Sequence, residues 1–222
     1  HVASLLSEHT QCKVHVAGGM LRTRDSAMEG DATVEYLQQF KLDGAIVRAG
    51  LDVTGLHCLD VGQSTGGFTD CLLQRGAAHV VGVDVGHDQL HASLRGDPRV
   101  TCIEGINARE LTLSHLPVGV ATCFDLIVAD VSFISLTKVL PQWPALLAPG
   151  GRVLSLAKPQ FEVGAENVGR GGIVRDASLY AAVEATIRNA CACAGLTVLD
   201  YFESPITGSD GNHEFFVYAE HA

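Results

Sequence analysis

Leu59-Asp60-Val61-Gly62-Gln63-Ser64-Thr65-Gly66-Gly67-Phe68-Thr69-Asp70 is the stretch that decides the fold. An apolar run ends in an acid, breaks into glycine and hydroxyl residues, and resumes as a helical pattern. That is a strand, a tight turn and a helix N-terminus, the place where open α/β sheets take nucleotide-like ligands. The glycines stand at Gly62, Gly66 and Gly67, which is not the G-x-G-x-x-G of a dinucleotide fold, and no G-K-[ST] of a P-loop follows. The loop has room for a close-lying ligand but no pyrophosphate cradle. S-adenosylmethionine (SAM), an adenosine with a sulfonium and an amino acid but no phosphate, suits it. The candidate binding residues here are Asp60, Gly62, Ser64, Thr65, Gly66, Gly67 and Phe68.

Outward from this loop the pattern alternates. The spacing predicts a helix over 35–49, a first core strand over 56–61 and a helix over 67–74. A strand over 79–83 then ends in Asp84 and a helix is expected over 88–94. Strands over 100–104 and 125–129 follow, the second ending in Asp130. A helix over 136–147 stops at Pro149-Gly150-Gly151, and a strand over 152–157 ends in Lys158-Pro159. A Gly-rich loop, Gly164 to Gly172, precedes a helix with Asp176 as its N-cap, running to Cys193. Strands over 197–203 and 213–218 have no helix between them and should pair antiparallel. Strand–helix alternation means a parallel sheet with helices on both faces. The expected fold is therefore α/β, the seven-stranded, mostly parallel, Rossmann-like sheet of the class I SAM-dependent methyltransferases, with an antiparallel last strand. In that layout Asp84, with Val85 beside it, ends the second strand, where an acid binds ribose hydroxyls. Asn107 follows the third strand, within reach of an adenine edge.

Bulk properties bound the reading. The chain has 222 residues, 47% hydrophobic and 18% charged, enough for one sizeable core and too apolar for disorder. No segment is long and apolar enough to span a bilayer and no signal-peptide pattern is visible, so a cytoplasmic protein without stable membrane association is expected. Seven scattered Cys fit a reducing compartment; Cys58, Cys71, Cys102 and Cys123 read as small buried hydrophobes. His87 and His91 stand at i, i+4 on an expected helix, yet no third ligand is evident and no metal site is expected. A net charge of −10 opposes nucleic-acid binding unless a local basic patch exists.

The acceptor is read from the fourth strand onward. Asp130-Val131-Ser132-Phe133 lacks the prolines of base amino-group methylases, and no nucleophilic Cys for cytosine C5 chemistry lies there. A hydroxyl acceptor remains. Asp130 and Lys158 end adjacent strands at the carboxyl edge, and Glu214 begins an antiparallel strand expected to insert beside the one ending in Lys158. The three should converge over the cofactor. Acid–Lys–acid arrays in a cleft are costly unless paired, and such an array can hold a Lys amine and tune it to orient or deprotonate an alcohol.

Asp60 to Leu73, Val83-Asp-Val-Gly86, Asp97-Pro-Arg-Val100, Asp130-Val-Ser-Phe-Ile-Ser135, Lys158-Pro-Gln-Phe-Glu162, Gly169-Arg-Gly-Gly-Ile-Val-Arg-Asp176 and Gly211-Asn-His-Glu-Phe215 resemble the TlyA (hemolysin A) family, which looks like the FtsJ-type ribose methyltransferases. The resemblance covers residues 41–219. It implies 2′-O-methylation of ribosomal RNA, on the RNA or on ribosomal subunits, through a Lys-Asp-Lys-Glu tetrad. Asp130, Lys158 and Glu214 match three members, and Lys41, in Lys41-Leu42, is the candidate for the first. Such families typically begin with an S4-type RNA-binding domain. Residues 1–36 are too short for a complete one; Lys13 to Leu21 and Asp31 to Tyr36 are read as its remnants, or the domain is truncated. Residues 37–222 are the methyltransferase domain. Arg170 and Arg175 are the candidate RNA phosphate contacts in the Gly-rich loop. Two alternatives stand: a SAM-dependent methyltransferase of a small-molecule hydroxyl, which the charge favours, and a membrane-active hemolysin, which the missing spanning and basic amphipathic helices oppose.

Overall fold

The computed structural model describes residues 15–17, 20–22, 27–28, 31–117, 120, 123–208 and 211–221, with side chains from residue 36 onward. Three short strands, β1 (His15–Ala17), β2 (Met20–Arg22) and β3 (Ala27–Met28), form a small antiparallel sheet. Residues 1–14, including Lys13 and Cys12, lie outside the described residues. Helix α1 (Asp31–Ala49) begins four residues before the predicted start and takes in Asp31 to Tyr36.

The deciding stretch folds as read. β4 (His57–Val61) is buried on both faces, as an inner parallel strand must be, and α2 (Gly67–Gln74) follows the loop. β5 (His79–Asp84) and β6 (Val100–Glu104) extend the sheet to one side. β7 (Phe124–Ala129) and β8 (Leu147–Ala157) extend it to the other. After α4 (Leu179–Cys193), a helix numbered with α3 (Ala92–Arg95) before it, come β9 (Leu196–Glu203) and β10 (Phe215–His221). The order is β6-β5-β4-β7-β8-β10-β9. β10 runs antiparallel to both β8 and β9 and inserts between them, the placement expected for the last strand.

Two apolar layers sandwich this sheet. Leu42, Ala45 and Ile46 of α1 and Phe68, Cys71 and Leu72 of α2 cover one face. Val183, Ile187 and Cys191 of α4, with Leu140, Trp143 and Leu146, cover the other. Trp143 is the largest side chain fully out of water.

Several boundaries differ from the sequence reading. The helix expected over 136–147 is two 3-10 turns, Leu136–Lys138 and Leu140–Leu146. Pro141 and Pro144 supply no N–H and cannot sustain an α-helical ladder. β8 starts at Leu147 and carries Pro149-Gly150-Gly151 through a register irregularity against β7. The helix expected over 88–94 shrinks to the single turn α3, capped by His91, because Asp88 sits at φ 57 and breaks it. His87 and His91 therefore share no helix face. Asp176 does not cap α4 directly; its Oδ1 accepts from Ser178 N and Ser178 Oγ just ahead of the helix. Cys58 and Cys71 are buried as expected, but Cys102 is half-buried and Cys123 exposed.

Candidate active site

Chain order reverses between β4 and β7, and in open α/β sheets a crevice opens outside the strand ends at such a point. Here a cleft of about 980 Å³ lies there.

Its first half is made of turns. Gly62 lines the cleft at φ 84, a conformation side-chain-bearing residues rarely adopt, and a Cβ there would lie 2.8 Å from the Asp130 carbonyl oxygen. The two strand-end loops can therefore touch. Ser64, also on the wall, donates its backbone N–H to Asp84 Oδ2 at 2.8 Å, and Gly86 N donates to Asp84 Oδ1 at 2.7 Å. Asp84 thus ties the β4 loop to the β5 loop while lining the cleft with Val85. Asn107 also lines the cleft, and its Oδ1 accepts from Arg109 N.

The rest of the predicted loop set does not face the cleft. Phe68 is a core residue, Gly67 opens α2 in the interior, and Gly66 is pressed against Leu90 and Leu94. Asp60 lies beneath the wall at 1% exposure, its Oδ2 accepting from Thr69 Oγ1 at 2.7 Å. Gln63 Nε2 donates to the same Thr69 hydroxyl. Burial pushes the Asp60 carboxyl up to about 7, with the like charges of Asp130 and Asp84 adding to it against the Thr69 hydrogen bonds. Asp60 Oδ1 and Thr65 Oγ1 are buried and make no hydrogen bond among the described residues.

The second half is made of paired charges. Lys158 Nζ lies 2.5 Å from Asp130 Oδ1. That contact is off the line of a hydrogen bond, and Ser132 Oγ accepts the bond from Lys158 at 2.8 Å. Lys41 Nζ donates to Glu214 Oε2 at 2.5 Å, both side chains being over nine-tenths buried. β10 brings Glu214 here: Phe215 pairs with Ala157, so Glu214 and Lys158 stand one step beyond. α1 brings Lys41, and it packs close enough to the segment ahead of β10 that a Cβ on Gly44 would meet Pro205 Cγ at 2.9 Å. All four charged residues line the one cleft.

The sequence reading passed over several residues. Phe133 is 92% exposed at φ 62, with its ring centroid 5.5 Å from that of Phe161 at the cleft wall. Glu162 accepts from Ser135 Oγ and Leu136 N, tying the loop after β7 to the turn after β8. Gln38 lines the cleft one turn before Lys41, and that helical spacing was the available signal. Arg170 and Arg175 are exposed and not on the wall, whereas their neighbours Gly171 and Gly172 are.

A seven-stranded sheet with this order, a cleft at its switch point and a glycine turn beside an acidic strand end define the fold of the class I SAM-dependent methyltransferases. The sequence model of the FtsJ-like methyltransferases matches residues 39–221, and the chain belongs to that family. It is 46% identical over 178 residues to the 16S/23S rRNA (cytidine-2′-O)-methyltransferase TlyA of Mycobacterium tuberculosis, covering 80% of this chain and 65% of that one. The match thus spans slightly under two thirds of the relative's length. Hemolysin A of Brachyspira hyodysenteriae is 40% identical over 80% of this chain and 73% of its own. Among solved structures, a putative hemolysin from Streptococcus thermophilus superposes with a TM-score of 0.80 at 37% identity, over 91% of this chain and 70% of that one. No described helix is long and apolar enough to cross a membrane.

Proposed function

We propose that this chain transfers a methyl group from SAM to a ribose 2′-hydroxyl of ribosomal RNA. The observation that carries the reading is the convergence of Lys41, Asp130, Lys158 and Glu214 on one cleft as two close ion pairs. A cofactor of SAM's chemistry fits the other half. Asp84 and Asp130 offer carboxylates to a cation bearing ribose hydroxyls, Gly62 lets backbone approach closely, and no P-loop or dinucleotide glycine pattern is present to hold a pyrophosphate. When bound, SAM supplies a methyl group made electrophilic by its sulfonium.

The chain's own residues do the rest. In this reading Asp84 and Asn107 hold the adenosine end, while Gly62 and Ser64 shape the turn against it. Asp60, Thr65, Gly66, Gly67 and Phe68 act by building that turn. Asp130 and Ser132 hold the Lys158 head group where it can orient the acceptor hydroxyl; once Lys158 has given up its extra proton to solvent, its free amine can take the hydroxyl proton as the oxygen attacks. Lys41 and Glu214, beside Lys158 on the same wall, fix the ribose. Most of the acceleration comes from aligning the acceptor hydroxyl with the methyl group.

Two observations favour an RNA acceptor over a small alcohol. Phe133, held out with Phe161 behind it, presents an aromatic face of the kind that stacks an unpaired base. Arg109, Arg170 and Arg175 have no acidic partner among the described residues, a state they share with Arg152 at the other strand ends but not with Arg48, Arg75, Arg95, Arg99 and Arg188. Positive charge is therefore left free at Arg109 on the cleft wall and on the Gly-rich loop that borders it, in a chain of net charge −10. The overall charge is what favours the small-molecule alternative. Incubating the protein with labelled SAM and each ribosomal subunit, then analysing nucleosides, is the test. A 2′-O-methyl nucleoside is expected; no label in RNA from either subunit, with SAM bound, would refute the RNA reading.

A further inference from the structure

Asn212 is 1% exposed and lies two residues before Glu214, in the segment that leads into β10. Both ends of its amide are used on one target. Oδ1 accepts from Val174 N at 2.9 Å, and Nδ2 donates to Gly172 O at 2.9 Å. These bonds reach across 38 and 40 residues to the Gly-rich loop. That loop is folded back on itself, with Gly169 N donating to Ile173 O and Gly172 N to Gly169 O. Its tip, Gly171 and Gly172, forms part of the cleft wall with Thr207 and Glu214. Asn212 is held in turn, since its own carbonyl accepts from Gly208 N, and Ser204 N donates to Glu214 O close by. Val174, one of the two residues latched, is buried, while Arg170 on the same loop is exposed.

We propose that Asn212 is a positioning residue: it latches the Gly-rich loop to the strand that carries Glu214, so that the loop stands preformed beside the reacting ribose and receives the sugar–phosphate strand of the RNA. The inference rests on the reading of the cleft as an RNA methyltransferase site. Its physical basis is the cost of ordering a glycine-rich segment. Gly residues lose more backbone freedom than any others when fixed. A loop already fixed by one buried and one half-buried hydrogen bond leaves that cost out of substrate binding. Asn is suited to the task because one side chain offers an acceptor and a donor to two backbone groups two residues apart.

The test compares wild type with Asn212→Ala and with the near-isosteric Asn212→Asp, which keeps the acceptor for Val174 N and loses the donor for Gly172 O. Hydrogen exchange across residues 164–176, read without substrate, should accelerate in both variants while SAM affinity stays within about twofold. KM for the ribosomal substrate should rise about tenfold, the factor given by about 1.4 kcal/mol and the scale of one lost buried hydrogen bond. At saturating substrate kcat should change far less. Adding Arg170→Ala to Asn212→Ala should raise KM little further, because a loosened loop no longer holds Arg170 in place. Unchanged exchange in a folded variant overturns the latch. So does accelerated exchange accompanied by a fall in kcat alone, or full additivity with Arg170→Ala. If wild type transfers no methyl group to RNA, the functional reading fails, and the exchange measurement still decides the latch.

Discussion

The two halves of the cleft are built on opposite principles. The half expected to hold the cofactor comes from backbone turns in consecutive sequence: Gly62 and Ser64 lie four residues or fewer from Asp60, and Asp84 ends the next strand. The half expected to hold the acceptor comes from side chains at 41, 130, 158 and 214, brought together by α1, β7, β8 and β10. In the proposed reading the first binds through the shape of its turns and the side chains of Asp84 and Asn107, and the second works through buried, mutually compensating charge. Damage to the first should therefore weaken binding, and damage to the second should remove turnover or stability.

Lys158→Ala is the sharpest way to break this contrast. Methyl transfer should fall by about 10²–10⁴, the range for a positioned proton-transfer group, while SAM affinity measured by calorimetry stays near wild type. Equal losses of binding and turnover would erase the distinction. Next comes the Lys41–Glu214 pair. Lys41→Ala leaves a buried carboxylate uncompensated and should cost about 3–5 kcal/mol in urea unfolding, whereas Lys41→Met with Glu214→Leu should regain much of that stability and remain inactive. A double variant as unstable as the single one would show that the pair is needed for the fold itself.

Gly62→Ala attacks the other half. Strain at φ 84 and a Cβ 2.8 Å from the Asp130 carbonyl should weaken SAM affinity, on the order of tenfold for about 1–3 kcal/mol of backbone strain, with a smaller change in turnover at saturation. Asp60 gives a pH signature. Its carboxyl rises from 3.8 to about 7 on folding, so the folded chain binds this proton more tightly than the unfolded one. The stability it contributes is complete at low pH and is lost as pH rises between those values. Asp60→Asn should remove that decline, so its Tm should gain on wild type between pH 4 and pH 7; parallel Tm curves would refute the assignment. The smallest effect is expected from Arg175→Ala: weaker RNA binding and a salt-dependence slope reduced by about 1, if it meets one phosphate.

The legibility of the site follows the same division. Strand β4, α2, the acid at the end of β5 and the antiparallel last strand could all be read from pattern, since apolar runs, a glycine turn and missing crossovers are local signals. The 136–147 segment was misread because its apolar spacing is helical, and only its prolines betray the 3-10 turns. The 88–94 helix failed on one left-handed residue, Asp88, which no spacing rule exposes. Phe68 and Gly66 belong to the recognised motif but point into the core, because a motif records what a turn requires as well as what a ligand touches.

By itself, then, the sequence determined that a strand would end in a glycine turn opening a helix, because strand, turn and helix are specified within a dozen neighbouring residues. Tertiary structure alone decided that Lys41 faces Glu214, that Phe133 stands out at the mouth, and that Asn212 reaches the Gly-rich loop. The first and last of those relations depend on the register of β10 against β8 and on how closely α1 packs, and that of Phe133 on the turn after β7 meeting Phe161 after β8; these are properties of the closed core and of no single segment.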